Sequence, residues 1–457
     1  WVYLVQVLLT GVTKYYSNLP VVVDGQPYEA RIANTIHIST QLSDVLNPRQ
    51  TASNITLELR NHDQALTTLF DSYTWGNRVV RVYVGQGSNL SANYSQVFEG
   101  RVRFPNGLRW NETTAFVMVN DRRNTDSKLL PVNSSNAGST PRYGTAEFSL
   151  VETKSLTTAK QILIGDYGTA RSERIRAVCV NTTTREFRLV SNKFAPISAI
   201  QLVYKQEGLT GFRSVTFTSP NLTLGSFILG VAYNPDKDVI TAHAKGVKTS
   251  GGTLIETPSR VIKYILQTHL GVATSGINQT IFNTLETNTS GIKLRRHITS
   301  ELDSAVLLEE ISRECGLDVF IKNGQYHAQT INYLPGTSLT TFDQTDIVSG
   351  SFEVVDDPNL AYFNSITVGY NFNPETGAYK KKDRSNATSI SDVGATIARE
   401  FTFNWLYDDT DTDSRMTSLL FMFANKLLVV SVRLKHRAML HYLADRFILN
   451  YKNNLEN

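Results

Sequence analysis

The sequence is poor in cysteine, in net charge and in long apolar runs. Its 457 residues include two cysteines, Cys179 and Cys315, which lie far apart, whereas a disulfide-stapled secreted scaffold would carry more. We therefore expect both to be free thiols in a protein made in a reducing cytoplasm. Forty-five basic and 41 acidic residues leave a formal charge of only +4. That balance argues against a dedicated nucleic-acid-binding protein, which needs a concentrated basic face.

The most apolar stretch, residues 419–432, predicts no membrane anchor. It contains Asn425 and Lys426, and it is shorter than the run that a bilayer requires.

The sequence also lacks the usual catalytic motifs. It contains no G-x-x-x-x-G-K-[ST] phosphate loop, no G-x-S-x-G nucleophile elbow and no H-E-x-x-H zinc motif. His436 and His441 are the nearest pair of histidines, and no cysteine or carboxylate stands at ligand spacing from them. We expect surface or packing roles for that pair. The sequence therefore predicts no catalytic, cofactor-binding or metal-binding residue, and no cofactor.

One acidic run, Asp408–Asp413, has two interpretations. Alternating aspartates resemble the start of a calcium loop, but Ser414 stands where such a loop needs glycine, and Leu420 where it needs a bidentate glutamate. The favoured interpretation is a helix that starts at Asp413, whose carboxylate accepts the first free N–H groups.

The only basic run, Lys380–Arg384, follows a turn at 373–377. Basic residues at a turn are typical of a solvated hairpin tip, which is the favoured interpretation. Contact with DNA phosphates or with an acidic partner is the alternative.

Residues 1–125 are predicted to form strands, because apolar and polar residues alternate there. Ile55, Leu57 and Leu59 alternate with polar neighbours, and 80–84 repeats the pattern. Asp24-Gly25 predicts a hairpin, because both positions accept a positive φ. One antiparallel barrel or sandwich follows from this pattern.

Residues 126–140 lose periodicity and gather Asn, Ser, Gly and Pro, which predicts a linker or long loop. A second strand-rich segment continues to about residue 245. We therefore place a β-rich domain at 126–245.

Helical periodicity begins after that segment. Thr257-Pro258 predicts an N-cap followed by proline at the first helical position, and Gly271 predicts the stop. A second helix is predicted from Ser300, with Asp303 in a capping box, and it ends at Cys315-Gly316. Its predicted inward residues are Leu302, Val306, Leu307 and Ile311.

Asn323-Gly324 between two short apolar runs predicts a hairpin directly after that helix. Residues 246–345 are therefore predicted to be an α+β domain. The last segment, 346–457, returns to strands, with a helix at 413–425 and a strand at 428–434.

The order of several segments resembles the baseplate hub, or tail-tip hub, proteins of tailed bacteriophages. The first part of the resemblance is carried by NITLELRNHDQALTTLF (54–70), GNRVVRVYVG (76–85), YSQVFEGRVRFP (94–105) and FVMVNDRR (116–123). Further along, it is carried by IGDYGTARSERIRAVCVN (164–181), LVYKQEG (202–208), TPSRVIKYILQTHLGV (257–272), ISRECGLDVFIKNGQYHAQTIN (311–332), SLLFMFANK (418–426) and LLVVSVRLKHR (427–437).

The resemblance implies a mainly β fold with a smaller α+β part. It comprises two tube-type antiparallel β-barrel domains at 1–125 and 346–457, an inserted β domain at 126–245 and a helix-plus-hairpin domain at 246–345. The implied protein is not an enzyme. It is a homotrimer that forms a pseudo-hexameric ring at the distal end of the virion tail and is assembled in the host cytoplasm.

The implied partners are the tail tube or a distal-tail ring protein, a central spike or fibre, and the tape-measure protein. Genomic DNA would pass through the ring without sequence-specific binding. Within structural proteins, the alternative is a hexameric distal-tail ring protein, which needs one barrel per chain. A β-rich cell-surface or carbohydrate-binding adhesin is a second alternative, which would need an exposed aromatic platform such as Tyr73-Thr74-Trp75. A cell-wall hydrolase is the third.

Overall fold

The structure is a computed structural model. It describes residues 1–36, 38, 41–42, 50–51, 54–121, 129–130, 162–167, 174–190, 196–207, 211–298, 302–322, 324–331, 340–355, 362–373, 377–424, 429–435 and 447–450. These residues form a mainly β protein with some helices, which confirms the coarse fold prediction. The chain divides into two compact units. One is Trp1–Ser127 with Val272–Phe282 and Val319–Gln329, and the other is Lys128–Gly271 with Asn283–Asp318 and Thr330–Asn457.

The first unit is built on one curled sheet. Its elements are β1 (Val2–Leu9), β2 (Val12–Ser17), β3 (Val21–Val23), β4 (Gln26–Tyr28), β5 (Gln41–Leu42), β6 (Gln50–Thr51), β7 (Ile55–Arg60), α1 (Ala65–Ser72), β8 (Val79–Gly85), β9 (Tyr94–Val102), β10 (Leu108–Trp110) and β11 (Thr114–Asp121). Strands β10, β11, β9, β8, β1 and β2 lie side by side in that order, and β7 pairs with β11. All these pairs are antiparallel, and the seven-stranded sheet curls into a half-barrel.

The apolar residues of the alternating pattern that predicted these strands also form their core. Leu57, Val82 and Val117 are fully buried and pack together on the concave side of the sheet. Leu66 and Phe70 of α1 join the same core, so the helix covers part of that side. The predicted hairpin is confirmed, because Asp24 and Gly25 connect β3 to β4 with φ values of 48° and 78°.

Segment 29–33 joins the two edge strands of the curled sheet. On one side, the Ser17 N–H of β2 donates to the Glu29 carbonyl at 2.8 Å. On the other side, the Ala33 N–H donates to the Glu58 carbonyl of β7 at 2.8 Å, and Ile32 forms a β-bridge with Leu59. An edge strand left open invites pairing with other chains. Here one segment satisfies backbone groups of both edges.

The second unit begins with β12 (Leu129–Leu130), β13 (Ile162–Ile164), β14 (Ile175–Arg176), β15 (Val178–Asn181), β16 (Glu186–Arg188), β17 (Ile197–Glu207), β18 (Arg213–Val215), β19 (Phe217–Asn221), β20 (Ser226–Leu229) and β21 (Asp238–Val247). Two four-stranded sheets, β14-β21-β17-β18 and β15-β16-β20-β19, share one core that contains Phe187, Val203 and Phe227. The predicted linker at 126–140 lies almost entirely outside the described residues.

The helical part contains α2 (Pro258–Tyr264), α3 (Gln279–Thr289), β22 (Arg296–Ile298), β23 (Leu302–Asp303), α4 (Ser304–Cys315), β24 (Leu317–Lys322) and β25 (Gln325–Thr330). Thr257 is the N-cap of α2 as predicted, but its hydroxyl donates to Glu286 instead of capping the helix. A π-helical turn, Ile265–His269, continues α2 until Gly271, where φ is 72°. Helix α3 was not predicted.

The helix predicted from Ser300 begins at Ser304, after a short strand at Leu302–Asp303, and Ser300 itself lies outside the described residues. Asp303 is the N-cap of α4, and its carboxylate accepts the Ala305 N–H at 2.8 Å. Leu307 and Ile311 are buried as predicted, whereas Val306 is 39% exposed. Strands β24 and β25 form the predicted hairpin around Gly324.

The chain ends with β26 (Thr340–Phe342), β27 (Glu353–Val355), β28 (Ser365–Asn373), β29 (Ala378–Ser385), α5 (Ala387–Val393), β30 (Ala398–Thr402), α6 (Asp409–Phe423), β31 (Val429–Ser431) and β32 (Phe447–Leu449). The predicted helix at 413–425 begins four residues earlier, at Asp409. The predicted strand at 428–434 is shorter, and only Val429–Ser431 belongs to it.

The prediction of a purely antiparallel C-terminal sheet was wrong. Strand β28 pairs antiparallel with β29 and parallel with β30, and β26 pairs parallel with β32. Strands β28 and β30 are joined by β29 and α5, a connection long enough to return the chain in the same direction. Helix α6 packs on this sheet, and the Phe363 and Phe423 rings stack at 5.1 Å.

Candidate functional site

The acidic run forms the start of α6, but the capping residue is not the predicted one. The Asp408 carboxylate accepts the N–H groups of Thr410 at 2.7 Å and Asp411 at 3.2 Å, so Asp408 is the N-cap. Asp413 lies inside the helix, so its predicted capping role was wrong. Asp409 and Asp411 occupy the first turn, where the helix dipole favours negative charge.

The basic run lies within strand β29 and not at a hairpin tip. Because side chains alternate along a strand, Lys380, Lys382 and Arg384 share one face. Lys380 Nζ lies 2.6 Å from Asp409 Oδ2, whereas Lys382 Nζ and Arg384 Nη1 lie 3.1 and 3.0 Å from Asp413 Oδ1. The two motifs that the sequence presents separately therefore neutralise each other within one chain.

These ion pairs also set the ionisation of the helix. The hydrogen bond from Lys380 lowers the pKa of Asp409, and the hydrogen bond from Lys382 lowers the pKa of Asp413. Both carboxylates are therefore charged at neutral pH.

The three alternating aspartates do not converge on one point. Asp409 faces Lys380 and Tyr370, Asp411 accepts the Lys293 N–H at 3.2 Å, and Asp413 faces the other end of the basic run. A calcium ion needs several oxygens around one centre. This geometry contradicts the calcium-loop alternative, and the part of the chain that the structure describes contains no group of three His, Cys, Asp or Glu residues able to hold a metal.

Two glutamates of α4 hold the loop that precedes α6, and the sequence analysis missed them. Glu314 Oε1 accepts the Asn404 N–H at 2.7 Å, and Glu314 Oε2 accepts those of Trp405 at 2.8 Å and Leu406 at 3.1 Å. Glu310 accepts the Asn404 side-chain amide at 2.8 Å. The only local signal was a carboxylate on the apolar side of an amphipathic helix, where a lone charge is costly.

Glu314 is 1% exposed. Burial disfavours its charged form, and this effect outweighs the three backbone donors and raises the pKa to about 7. The side chain thus fixes residues 404–406 while remaining close to its titration point at neutral pH.

A groove of about 940 Å³ lies beside this carboxylate in the second unit. Cys315, Asp411, Arg415 and Phe421 are among its lining residues. A nucleophilic cysteine needs a lowered pKa, whereas burial raises the pKa of Cys315 well above its usual range. Both oxygens of Glu314 accept backbone N–H groups, so this carboxylate is placed to hold backbone and not to activate a nucleophile.

The aromatic platform that the adhesin alternative would need at Tyr73-Thr74-Trp75 is not exposed as a unit. Trp75 is 1% exposed and packs edge-on against Phe70 at 4.9 Å. Exposed aromatic side chains of this unit lie elsewhere and include Trp1 at 51%, Phe104 at 76% and Trp110 at 45% exposure.

Several remaining predictions concern other parts of the chain. Cys179 and Cys315 are free thiols, as predicted. His436 and His441 lie outside the described residues. In the described parts of the chain, no helix is long and apolar enough to cross a membrane.

Comparison with known proteins gave similarities to solved structures and none at the level of sequence. No protein-family model matches this sequence, and no curated protein matches it. The structure is similar to the crystal structure of the tail protein from Neisseria meningitidis MC58, with a TM-score of 0.37 and 10% sequence identity over 94% of this chain and 79% of that chain.

Proposed function

We propose that this chain is a structural protein of a bacteriophage-type tail and, more narrowly, the trimeric hub at the tail tip. One observation carries the proposal. The four N-terminal segments that resemble hub proteins (54–70, 76–85, 94–105 and 116–123) contain β7 with α1, β8, β9 and β11, which are all parts of one curled sheet and its helix. A resemblance spread over separate stretches of sequence thus corresponds to one structural unit.

The closure of that sheet supports a tube-type barrel. Segment 29–33 is hydrogen-bonded to both β2 and β7, the two edge strands. Open sheet edges would pair with further copies of the chain and give an assembly that grows without limit. A domain whose edges are satisfied can instead form a closed ring, as a tail component must.

The finer proposal assigns a second barrel to residues 346–457. Its candidate is the sheet β29-β28-β30 with α6, where Val368, Tyr370 and Met416 are fully buried. Three chains with two barrels each would give six similar positions, which match a six-fold tail tube. The parallel β28–β30 pair departs from the antiparallel barrel predicted for this segment, so a second barrel here would have to include one parallel pair.

The ring would join the tail tube, or a distal-tail ring protein, on one face. On the other face it would meet a central spike or fibre, with the tape-measure protein as a further partner. These contacts place the protein at the distal end of the virion tail after assembly in the host cytoplasm.

The placement of the basic residues in β29 supports a ring through which DNA passes and does not support DNA binding by these residues. Cations bind DNA by releasing its condensed counterions. Lys380, Lys382 and Arg384 are instead paired with Asp409 and Asp413. We therefore propose that genomic DNA passes through the ring without binding to this run.

The test is the mass and symmetry of the purified protein. Native mass spectrometry is expected to give a trimer, and averaged electron micrographs are expected to give a ring with three-fold symmetry and six similar lobes. A monomer at micromolar concentration contradicts the hub proposal. A true six-fold ring of six chains would support the distal-tail ring protein instead.

A carbohydrate-binding adhesin is the second candidate, favoured by the exposed Phe104 and Trp110. Sugar rings pack on exposed aromatic faces, and these two residues lie close in sequence in the first unit. A glycan array separates the two candidates. Binding that is lost in a Phe104→Ala, Trp110→Ala double variant supports the adhesin, and no binding supports the hub.

A further inference from the structure

A three-residue protrusion, 104–106, interrupts the curled sheet of the first unit between β9 and β10. The Arg103 N–H donates to the Met118 carbonyl at 2.8 Å, and the Met118 N–H donates to the Gly107 carbonyl at 2.8 Å. One residue of β11 therefore lies opposite both ends of the protrusion, and the three residues between those ends leave the ladder. All three are exposed. Residues inserted into a strand in this way often re-aim a side chain.

The side chain that the protrusion presents is Phe104. At 76% it is the most exposed large apolar side chain in the described part of the chain. Its ring lies against Gly76, where a Cβ would be only 2.6 Å from the Phe104 Cδ2. The glycine backbone thus supports one side of the ring, and the rest of the ring faces solvent. An aromatic side chain held outward on a supporting surface is typical of an interface anchor.

Three arginines surround the protrusion. Arg101 lies opposite Asn120 in the β9–β11 pair. Arg109 lies opposite Phe116 in the β10–β11 pair. The odd-numbered residues of β11 pack in the core, so both arginines point to the other, outer face of the sheet. Arg103 lies between them at the base of the protrusion and is exposed.

These three arginines carry charge that no described carboxylate neutralises. Among the described residues none of them forms an ion pair, whereas Arg81 on the neighbouring β8 lies 3.0 Å from Glu99. Arg101 donates to the Asn77 carbonyl at 3.1 Å, which orients its guanidinium without cancelling its charge. The surface therefore presents three positive charges around one apolar anchor.

The use of arginine in this part of the sequence also indicates an interface. Residues 15–127 contain ten arginines and no lysine. Either residue keeps a surface soluble, but arginine is enriched and lysine depleted where proteins meet. The planar guanidinium forms two parallel hydrogen bonds with a carboxylate, which an ammonium group cannot do.

We propose that the protrusion and its three arginines dock an acidic segment of a partner protein. Apolar side chains of that segment cover Phe104, and its carboxylates pair with the arginines. Charge complementarity fixes the sign of the partner. This inference does not depend on the proposed tail function.

The shape of the surface favours a protein over other ligands. Small molecules bind in concave sites, whereas this surface is a convex tip. A single-stranded nucleic acid is bound along a basic groove with several aromatic rings in succession, whereas the protrusion presents one ring.

The test measures binding of the full chain to an array of short synthetic peptides in which acidic and apolar content vary independently. Peptides that contain both glutamate and leucine are expected to bind best. Replacing their glutamates by glutamine, or their leucines by serine, should weaken binding by about tenfold. Binding of the acidic peptides should also weaken as the salt concentration rises.

Two variants of the chain assign the binding to this surface. Arg103→Glu and Phe104→Ser should each weaken binding by about tenfold, and each should keep the native melting temperature, because both side chains are exposed. Arg176→Glu is the matched control, because Arg176 is an exposed arginine on β14 in the second unit. It should bind the peptides as the native chain does.

Four outcomes overturn the proposal. The first is equal binding of all peptide compositions, and the second is native binding by Arg103→Glu or Phe104→Ser. The third is an oligothymidylate or a glycan that binds more tightly than any peptide and is lost in these variants, which assigns the surface to that ligand. The fourth is a smaller native mass of either variant, which assigns the surface to a second copy of this chain.

Discussion

Glu314→Gln should reveal whether burial or hydrogen bonding dominates at the carboxylate that holds residues 404–406. Two opposing effects act on this side chain. Three backbone N–H groups, at 2.7, 2.8 and 3.1 Å, favour the ionised form, and almost complete burial favours the neutral form. The pKa of about 7 means that burial wins.

The sign of the pH dependence follows from that shift. The folded-state pKa lies above the usual value of 4.5 for glutamate, so the folded protein holds the proton more tightly than the unfolded chain does. The contribution of Glu314 to the free energy of unfolding is therefore fully present below about pH 4.5, and it is lost as the pH rises through 7. A shift of this size corresponds to about 3 kcal/mol of unfolding free energy.

Glutamine resembles the protonated acid, since both carry one carbonyl oxygen and one donor group. The glutamine NH2 group cannot accept the backbone N–H that one carboxyl oxygen accepts now, so at pH 4.5 the substitution should cost about 2 kcal/mol, the order of a buried donor left without its acceptor. By pH 8 the unfolding free energy of the native chain has fallen by about 3 kcal/mol, because its carboxyl group has ionised. The variant has no such group, so its unfolding free energy does not fall for this reason. The variant should then be the more stable protein, by about 1 kcal/mol.

The assay is urea unfolding of both proteins at four pH values from 4.5 to 8. Asp409 and Asp413 have lowered pKa values, so their contribution is lost only below about pH 4, outside this window. Glu309→Gln on the same helix is the matched control, because Glu314 and not Glu309 accepts the N–H groups of residues 404–406. A Glu314→Gln variant that is several kcal/mol less stable than the native chain at pH 8 would refute the reasoning, because it would show that the three hydrogen bonds outweigh burial.

The remaining predictions concern capping, packing and activity. Asp408→Ala should lower the unfolding free energy by about 1 kcal/mol in thermal unfolding, because α6 loses its N-cap. Asp413→Asn should lower it by less, because the ion pairs of Asp413 are exposed. Equal losses in the two variants would contradict the assignment of the cap to Asp408. Trp75→Ala should cost about 3–5 kcal/mol by leaving a cavity beside Phe70, and Phe104→Ala should leave the unfolding midpoint nearly unchanged. The purified chain should hydrolyse neither peptidoglycan, polysaccharide nor nucleotides, and measurable turnover of any of them would overturn the structural role.

Local pattern accounts for the elements that the sequence determined by itself. The alternation in β7 and β8 predicts strands because side chains on a strand point to opposite faces. The Asp24-Gly25 hairpin follows from two residues that accept positive φ, and the Gly316 stop of α4 follows from the same property. Each of these signals needs only residues a few positions apart.

Element boundaries were less well determined, because competing signals stand close together. Asp408, Asp409, Asp411 and Asp413 are all chemically able to cap a helix. Only the path of the chain into α6 decided that Asp408 accepts the first N–H groups. The same holds for α4, where the cap is Asp303 and the predicted start was three residues earlier.

Pairings between distant residues were decided by the tertiary structure alone. The parallel register of β28 with β30, the ion pairs of Lys380 and Lys382 with α6, and the bonds from Glu314 to residues about 90 positions away all join separate elements. A charge run in sequence carries no information on what will face it. Composition and periodicity were therefore enough to predict a mainly β protein without catalytic motifs, whereas the neutralised basic strand and the buried carboxylate exist only because folding brought their partners together.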